Sequence, residues 1–322
     1  MAKNSGLNLP RRLNKNSSVA LIAPAFSFDR AAFEKANKFI SSDLGLKTVF
    51  DKGIFERDLY FSGTTQRRAK EMINHLTNPE IDALFMIRGG YGCAKIYDLV
   101  LKTLKKNKRN LRPKILLGYS DFTIFLNGIY QELKWPTFHG PVLVGKPFQE
   151  PTDQETRQLE KCLFSTKPIG TISSREMTTL IKGKAKAPIV GGCLSLITSS
   201  IGTEYEVNTK GKILFIEEVS EFPYRIDRML TQILHSGLLD SIKGLIIGQM
   251  IKCEDPRGQA TVWQAIESAI LPFLHKKKIP TMLHFPAGHG SPQLSFPIGV
   301  RVQLNCEKKQ SSVTFLERAT CD

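Results

Sequence analysis

Short runs of consecutive apolar residues, each handed on to a segment with helical spacing, restrict this chain more than any other feature. Val19-Ala20-Leu21-Ile22-Ala23-Pro24, Ile81–Ile87 and Lys114-Ile115-Leu116-Leu117 read as strands buried on both faces of a parallel sheet, and Leu46–Phe50 as another strand. Between and after them, Ala31–Ile40, Gln66–Leu76, Ala94–Leu104 and Asp121–Leu133 carry a helical pattern. Regular alternation of strand and helix predicts an α/β domain over residues 18–150, doubly wound, with a mostly parallel, Rossmann-like sheet. Residues 1–17 are basic and polar and read as a loose arm. Residues 151–187 hold few periodic segments and read as a linker. A second domain, residues 188–322, begins at Ile189-Val190-Gly191-Gly192 and reads as α+β and β-rich. Its clearest helix puts Ile226, Met229, Leu230, Ile233, Leu234 and Leu238 on one face, with Gly237 where the helix should end. Lys212–Ile216 and Gly244–Ile247 flank that helix as strands, and the alternation from Val300 to Phe315 predicts a hairpin.

The chain has 322 residues, 41% hydrophobic and 23% charged, which is ordinary for a globular protein and excludes disorder or a collagen-like repeat. Its apolar runs fall far short of the ~20 residues a membrane-crossing helix needs. Met1-Ala2-Lys3-Asn4-Ser5 is no apolar signal region, so a cytoplasmic protein without a membrane partner is expected. The 45 Lys and Arg against 30 Asp and Glu give +15, a balance that invites a nucleic-acid reading. The two dense runs, Lys105–Arg109 and His275–Lys278, however, follow helical segments and precede strands, where cations complement the helix dipole. No nucleic-acid partner is expected, although a basic field also draws in a small anionic substrate. Six cysteines without a C-x-x-C pair point to free thiols in a reducing compartment rather than to disulfides or a zinc site.

Four segments carry residues with chemistry. In Leu116-Leu117-Gly118-Tyr119-Ser120-Asp121-Phe122-Thr123 a buried strand runs into Gly-x-Ser and a helix starts at once. Such a turn projects the serine hydroxyl from the sheet edge and aims the following N–H groups at the same space. The usual hydrolase elbow has a glycine where this chain has Phe122, and Ser120 as a plain helix N-cap is the alternative. Arg88-Gly89-Gly90-Tyr91-Gly92 also lies at a strand's carboxyl end, where functional loops of open parallel sheets gather, and its glycines leave N–H groups free to donate. In Ile213-Leu214-Phe215-Ile216-Glu217-Glu218, neighbouring carboxylates point to opposite faces at the end of a strand. A buried one needs a donor such as histidine. Phe285-Pro286-Ala287-Gly288-His289-Gly290 sets a histidine in a loop, and His139, in Phe138-His139-Gly140-Pro141, is its strongest rival. None of these forms a dense ligand spacing, so no metal or cofactor is expected.

Taken in order, the Gly-Tyr-Ser-Asp, Arg-Gly-Gly-Tyr-Gly, Phe-His-Gly-Pro, Glu217-Glu218 with Tyr224-Arg225-Ile226-Asp227-Arg228-Met229-Leu230, and Gly-His-Gly segments resemble the L,D-carboxypeptidases (muramoyltetrapeptide carboxypeptidases). That serine peptidase family also holds the microcin C immunity peptidases, and the likeness runs from about Val19 to Val302. The resemblance implies an active site at the domain interface, with a Ser-Glu-His triad of Ser120, Glu217 and His289; Glu218 is the alternative acid. It further implies an oxyanion hole of the Gly90 and Asp121 backbone N–H groups. Arg88 and Tyr91 are the substrate-binding candidates, Arg88 for a free C-terminal carboxylate. The implied reaction removes the terminal D-alanine of a murein tetrapeptide in peptidoglycan recycling. Cleavage of aminoacyl- or peptidyl-nucleotide antibiotics is the alternative, which asks for an aromatic stacked on a base, and neither Trp135 nor Trp263 sits in a suitable loop. Family members often form homodimers. Two departures bear on substrate preference: Gly191-Gly192-Cys193-Leu194 stands where many members have Gly-Gly-Asn-Leu, and Ala25-Phe26-Ser27 replaces a small polar run.

Overall fold

The computed structural model describes residues 6–307 and 311–322. In chain order the elements are β1 (Ser18–Ile22), α1 (Arg30–Lys38), β2 (Lys47–Val49), α2 (Thr65–Thr77), β3 (Ala83–Met86), α3 (Cys93–Asn107), β4 (Ile115–Gly118), α4 (Thr123–Leu133), β5 (Thr137–His139), α5 (Lys146–Gln149) and α6 (Asp153–Phe164). There follow β6 (Gly170–Ile172), β7 (Thr178–Ile181), β8 (Gly183–Cys193), α7 (Leu194–Ser199), β9 (Ile213–Val219), α8 (Pro223–His235), β10 (Gly244–Ile251), α9 (Val262–Lys277), β11 (Thr281–Leu283), β12 (Phe296–Ile298), β13 (Arg301–Cys306) and β14 (Ser312–Phe315). They divide between two compact units, one of residues up to Ile169 with Leu294–Pro297 and Arg318–Asp322, the other of Gly170–Gln293 with Ile298–Glu317.

The first unit is built on a six-stranded sheet in the order β12-β5-β4-β3-β1-β2. The pairs β1–β2, β1–β3, β3–β4 and β4–β5 are all parallel. Every residue of β3 and β4 is buried, which is why these segments show no polar alternation. The order 2-1-3-4-5 reverses between β1 and β3, so a crevice opens outside the carboxyl ends of those strands. The glycine-rich segment leaves β3 at that point and Ser120 leaves β4 one strand along. Helix α2 starts at a Thr64 cap on Arg67 N and buries Ala69, Met72 and Leu76.

Two expectations need correction. The stretch from residue 6 to 17 is fastened to the first unit: Asn8 N donates to Lys134 O at 2.9 Å, Leu13 N to Leu163 O at 2.8 Å, and the Leu13 side chain is fully buried. Residues 151–187 are not a linker, for they hold α6, β6, β7 and the start of β8. Helix α6 opens on a Thr152/Glu155 capping box, yet Glu155 and Gln158 lie on its buried face beside Leu159, Cys162 and Leu163. Two polar residues in that stripe erase the apolar period.

The second unit carries an eight-stranded mixed sheet in the order β6-β14-β13-β8-β9-β10-β11-β7. Its centre is parallel, β9 pairing in parallel with both β8 and β10. The tail forms the expected hairpin, with β13 and β14 antiparallel and Val302 opposite Phe315. Helix α8 buries Ile226, Leu230 and Ile233 and stops before Gly237, whose φ of 81° is left-handed. Both dense basic runs sit at the ends of α3 and α9. Among the described residues no helix is long and apolar enough to cross a membrane.

Candidate active site

In the first unit the chain leaves β4 at Gly118 and enters a 3-10 turn, Ser120–Phe122, that leads into α4. Ser120 has φ 60°, a left-handed conformation that costs a non-glycine residue about 1–2 kcal/mol. It is not an N-cap, since Tyr119 and Phe122 occupy the cap positions. Phe122, which stands in place of the elbow's second glycine, is fully buried, while Ser120 keeps partial exposure. The glycine-rich loop runs directly past the serine. A Cβ on Gly89 would lie 2.9 Å from both Cβ and Oγ of Ser120 and 3.9 Å from Asp121 N, so only glycine permits this approach. The Asp121 carboxyl is completely buried and accepts from Cys93 N at 2.7 Å; burial pushes its pKa up to about 6.

Arg88 is exposed, with Nη1 donating to Ser27 O at 2.6 Å and its guanidinium 5.9 Å from the centre of the Phe26 ring. Tyr91 is exposed and packs on Phe61 at 5.8 Å. His139 is fully buried, edge-on to Tyr119 at 5.8 Å and stacked on Phe296 at 5.0 Å, a packing position within the core.

In the second unit Glu217 lies near the end of β9, completely buried. Its Oε2 is 2.7 Å from Nδ1 of His289. With Nδ1 donating to the carboxylate, the lone pair of the neutral ring falls on Nε2. The histidine loop is laid along β10: Phe285 N donates to Ile247 O at 3.1 Å and Gln249 N to Ala287 O at 3.0 Å. The Gln249 side chain then clamps the far side, accepting from Gly290 N at 2.7 Å and donating to Pro292 O at 3.0 Å. Gly288, with φ 138°, leaves room for the pair, since a Cβ there would come within 3.0 Å of Glu217 Oε2. Burial pulls the His289 pKa down, but the charge and hydrogen bond of Glu217, with a smaller contribution from Glu218, outweigh it and leave it above the usual value.

Glu218 points elsewhere. It accepts from Ser195 N at 2.7 Å and from Val219 N at 2.8 Å, and the Cys193 thiol lies 3.5 Å from it. Burial, with the neighbouring Glu217 charge adding, raises its pKa. Of the two acids, Glu217 is the one that meets the imidazole. Trp135 is buried and Trp263 lies edge-on to His284 at 4.5 Å.

Sequence reasoning missed Gln249, a strand glutamine whose partners lie some forty residues later. Its only signal was position, on the strand next to the one that carries Glu217. It also missed Arg68, which is fully buried behind the glycine loop although Gln66 and Lys70 on the same helix are exposed.

Comparison with known proteins gives the family. The LD-carboxypeptidase N-terminal domain profile matches residues 19–140 and the LD-carboxypeptidase C-terminal domain profile residues 186–304. The probable murein peptide carboxypeptidase of Bacillus subtilis is 31% identical over 306 residues, covering 94% of this chain and 93% of that protein. The murein tetrapeptide carboxypeptidase of Pseudomonas aeruginosa is 27% identical, covering 87% of this chain and 91% of its own. Among solved structures, MccF in complex with glutamyl sulfamoyl guanosine shares the fold, with a TM-score of 0.85 at 21% identity over 98% of this chain and 100% of that one. The chain belongs to the LD-carboxypeptidase family.

Proposed function

We propose that this chain is a cytoplasmic serine L,D-carboxypeptidase of peptidoglycan recycling, removing the terminal D-alanine from murein tetrapeptides. Ser120 Oγ attacks the carbonyl that joins the L-centre of the diamino acid to D-alanine. His289 takes the hydroxyl proton and passes it to the departing amine, and Glu217 orients the imidazole and stabilises its cationic form. Water then attacks the acyl-serine, the same imidazole acting as base. The Gly90 and Asp121 N–H groups receive the oxyanion, each worth about 3 kcal/mol. Arg88 keeps N–H donors beyond the one bound to Ser27 O, and these offer a forked site for the substrate's terminal carboxylate. Tyr91 adjoins the same loop.

The observation that carries this reading is the pairing of the buried Glu217 with the partly exposed His289 at 2.7 Å, a donor–acceptor pair of the kind that activates a serine. The test is D-alanine release from a murein tetrapeptide by the purified protein. Ser120→Ala should lower kcat by roughly 10⁶-fold, the loss that removal of a triad nucleophile brings. Release at the wild-type rate by that variant overturns the reading. A parallel incubation with an aminoacyl sulfamoyl-nucleoside decides the branch: faster cleavage of it than of the tetrapeptide moves the assignment to the immunity peptidases.

A further inference from the structure

Helix α2 turns charged residues inward. Arg68 Nη1 donates to Pro24 O at 2.6 Å and to Gly92 O at 3.0 Å, Nε to Gly63 O at 3.3 Å, and Nη2 to Thr65 Oγ1 at 3.3 Å. Its guanidinium lies 4.4 Å from the centre of the Phe61 ring, the ring on which Tyr91 packs. These hydrogen-bond partners of the fully buried cation are neutral oxygens, and the charges of Asp121 and Asp58 add to the loop dipoles in offsetting its desolvation. Beside it Arg67 Nη2 donates to Ala23 O at 3.0 Å and Glu71 Oε2 accepts from Ala23 N at 3.1 Å. One face of α2 thus grips the loop after β1 and the end of the glycine loop together.

The Gly92–Cys93 peptide is held at both of its poles. Its carbonyl accepts from the Arg68 guanidinium, and its N–H donates to the buried Asp121 carboxyl at 2.7 Å. A cation on the oxygen side and a carboxyl on the hydrogen side leave that peptide plane little freedom to rotate, and Gly90 is only two residues away. Asp121 at the same time belongs to the Ser120 turn, so the bond to Cys93 N ties the serine's turn to the donor loop.

We propose that Arg68 and the Asp121 carboxyl are positioning residues of the reaction: by pinning the Gly92–Cys93 peptide from opposite sides they fix the glycine loop, and with it the Gly90 N–H, against Ser120. The inference rests on the assignment of Ser120 as nucleophile and Gly90 as oxyanion donor. It makes the donor loop a rigid part of the first unit, set before substrate arrives.

The test compares Arg68→Lys, which keeps the charge but not the fork, Arg68→Met, which keeps neither, Asp121→Ala, and Asp121→Asn, which keeps an oxygen for Cys93 N. Each is assayed on the folded fraction, counted by fluorophosphonate labelling of Ser120. Displaced donors should cost kcat roughly 10-fold in Arg68→Lys and about 100-fold in Arg68→Met and Asp121→Ala, with KM within about threefold and most of the loss recovered in Asp121→Asn. Variants that melt earlier but turn over at the wild-type kcat per labelled serine overturn the proposal. A wild-type enzyme that the fluorophosphonate does not label and that releases no D-alanine instead sinks the nucleophile assignment. Should the Arg68 variants not fold, amide exchange of the wild type decides: the Cys93 amide, bonded to the Asp121 carboxyl, should be protected as strongly as those of β3 and β4, and its exchange at open-loop rates overturns the proposal.

Discussion

Around Ser120 the first unit offers backbone: a left-handed serine, glycines pressed against it and N–H groups at strand ends. Around His289 the second unit offers side chains: a carboxylate, an imidazole and a glutamine amide joined by bonds of 2.7–3.0 Å. The difference predicts how each half fails. Backbone donors keep their chemistry whatever side chains they carry but are intolerant of displacement, because they cannot be re-aimed by a rotamer change. A side-chain site is sensitive to chemical identity, because one protonation state and one tautomer are required.

Beyond loss of the serine itself, the largest expected effect tests chemical identity. Glu217→Gln preserves shape while removing the charge, and kcat/KM should fall about 10⁴-fold, the cost of leaving the base in the wrong tautomer. Glu217 also holds the His289 pKa up, so the acidic limb of the pH–rate profile should move to lower pH in this variant. Glu218→Gln should cost less than about tenfold, because Glu218 serves the Ser195 and Val219 amides. Equal losses in the two variants would erase the distinction between the acids.

Next comes displacement. Gly89→Ala places a methyl 2.9 Å from the Ser120 hydroxyl, and a shift of the order of 1 Å should lower kcat roughly 100-fold with little change in melting temperature. The counterpart in the second unit, Gln249→Leu, leaves Gly290 N–H and Pro292 C=O without their clamp. It should destabilise by about 1–3 kcal/mol in denaturant titrations, a larger stability loss and a smaller rate loss than Gly89→Ala. The reverse ranking of rate losses would mean that the two halves are not built as described.

How much of this the chain discloses before folding follows the same division. Strands such as β3 and β4 are legible because burial on both faces leaves nothing polar in them, and the loops at their ends follow from strand direction alone. A strand that ends in two acids and a histidine between two glycines mark the segments of Glu217 and His289, but it is the family resemblance that implies Glu217 over Glu218 and His289 over His139. Helix α6 was hidden because Glu155 and Gln158 sit in its buried stripe. Arg68 was hidden because a buried arginine looks the same in sequence as the partly exposed Arg67 beside it. His139 and His289 both precede a glycine; what separates them is contact with residues far away in sequence, Phe296 for the one and Glu217 for the other. Local pattern reports which faces meet water, whereas partners supplied by tertiary packing leave no local trace.

The smallest expected effect concerns stability, and it belongs to the side-chain half alone. Because Glu217 leaves the folded His289 pKa above the ordinary value near 6.5, the folded state binds a proton that the unfolded chain has released. The contribution is therefore complete below about pH 6.5 and is lost as pH rises through the folded value. Urea unfolding of the wild type and of Glu217→Gln at several pH values reads what the Glu217 charge does to its neighbours, since it raises both His289 and Glu218 and both contributions fall as pH rises. The stability advantage of the wild type should shrink between pH 6 and 8. An advantage that stays constant or grows over that interval would mean that Glu217 does not raise the imidazole pKa, and the pair would then be a packing contact rather than an electrostatic one.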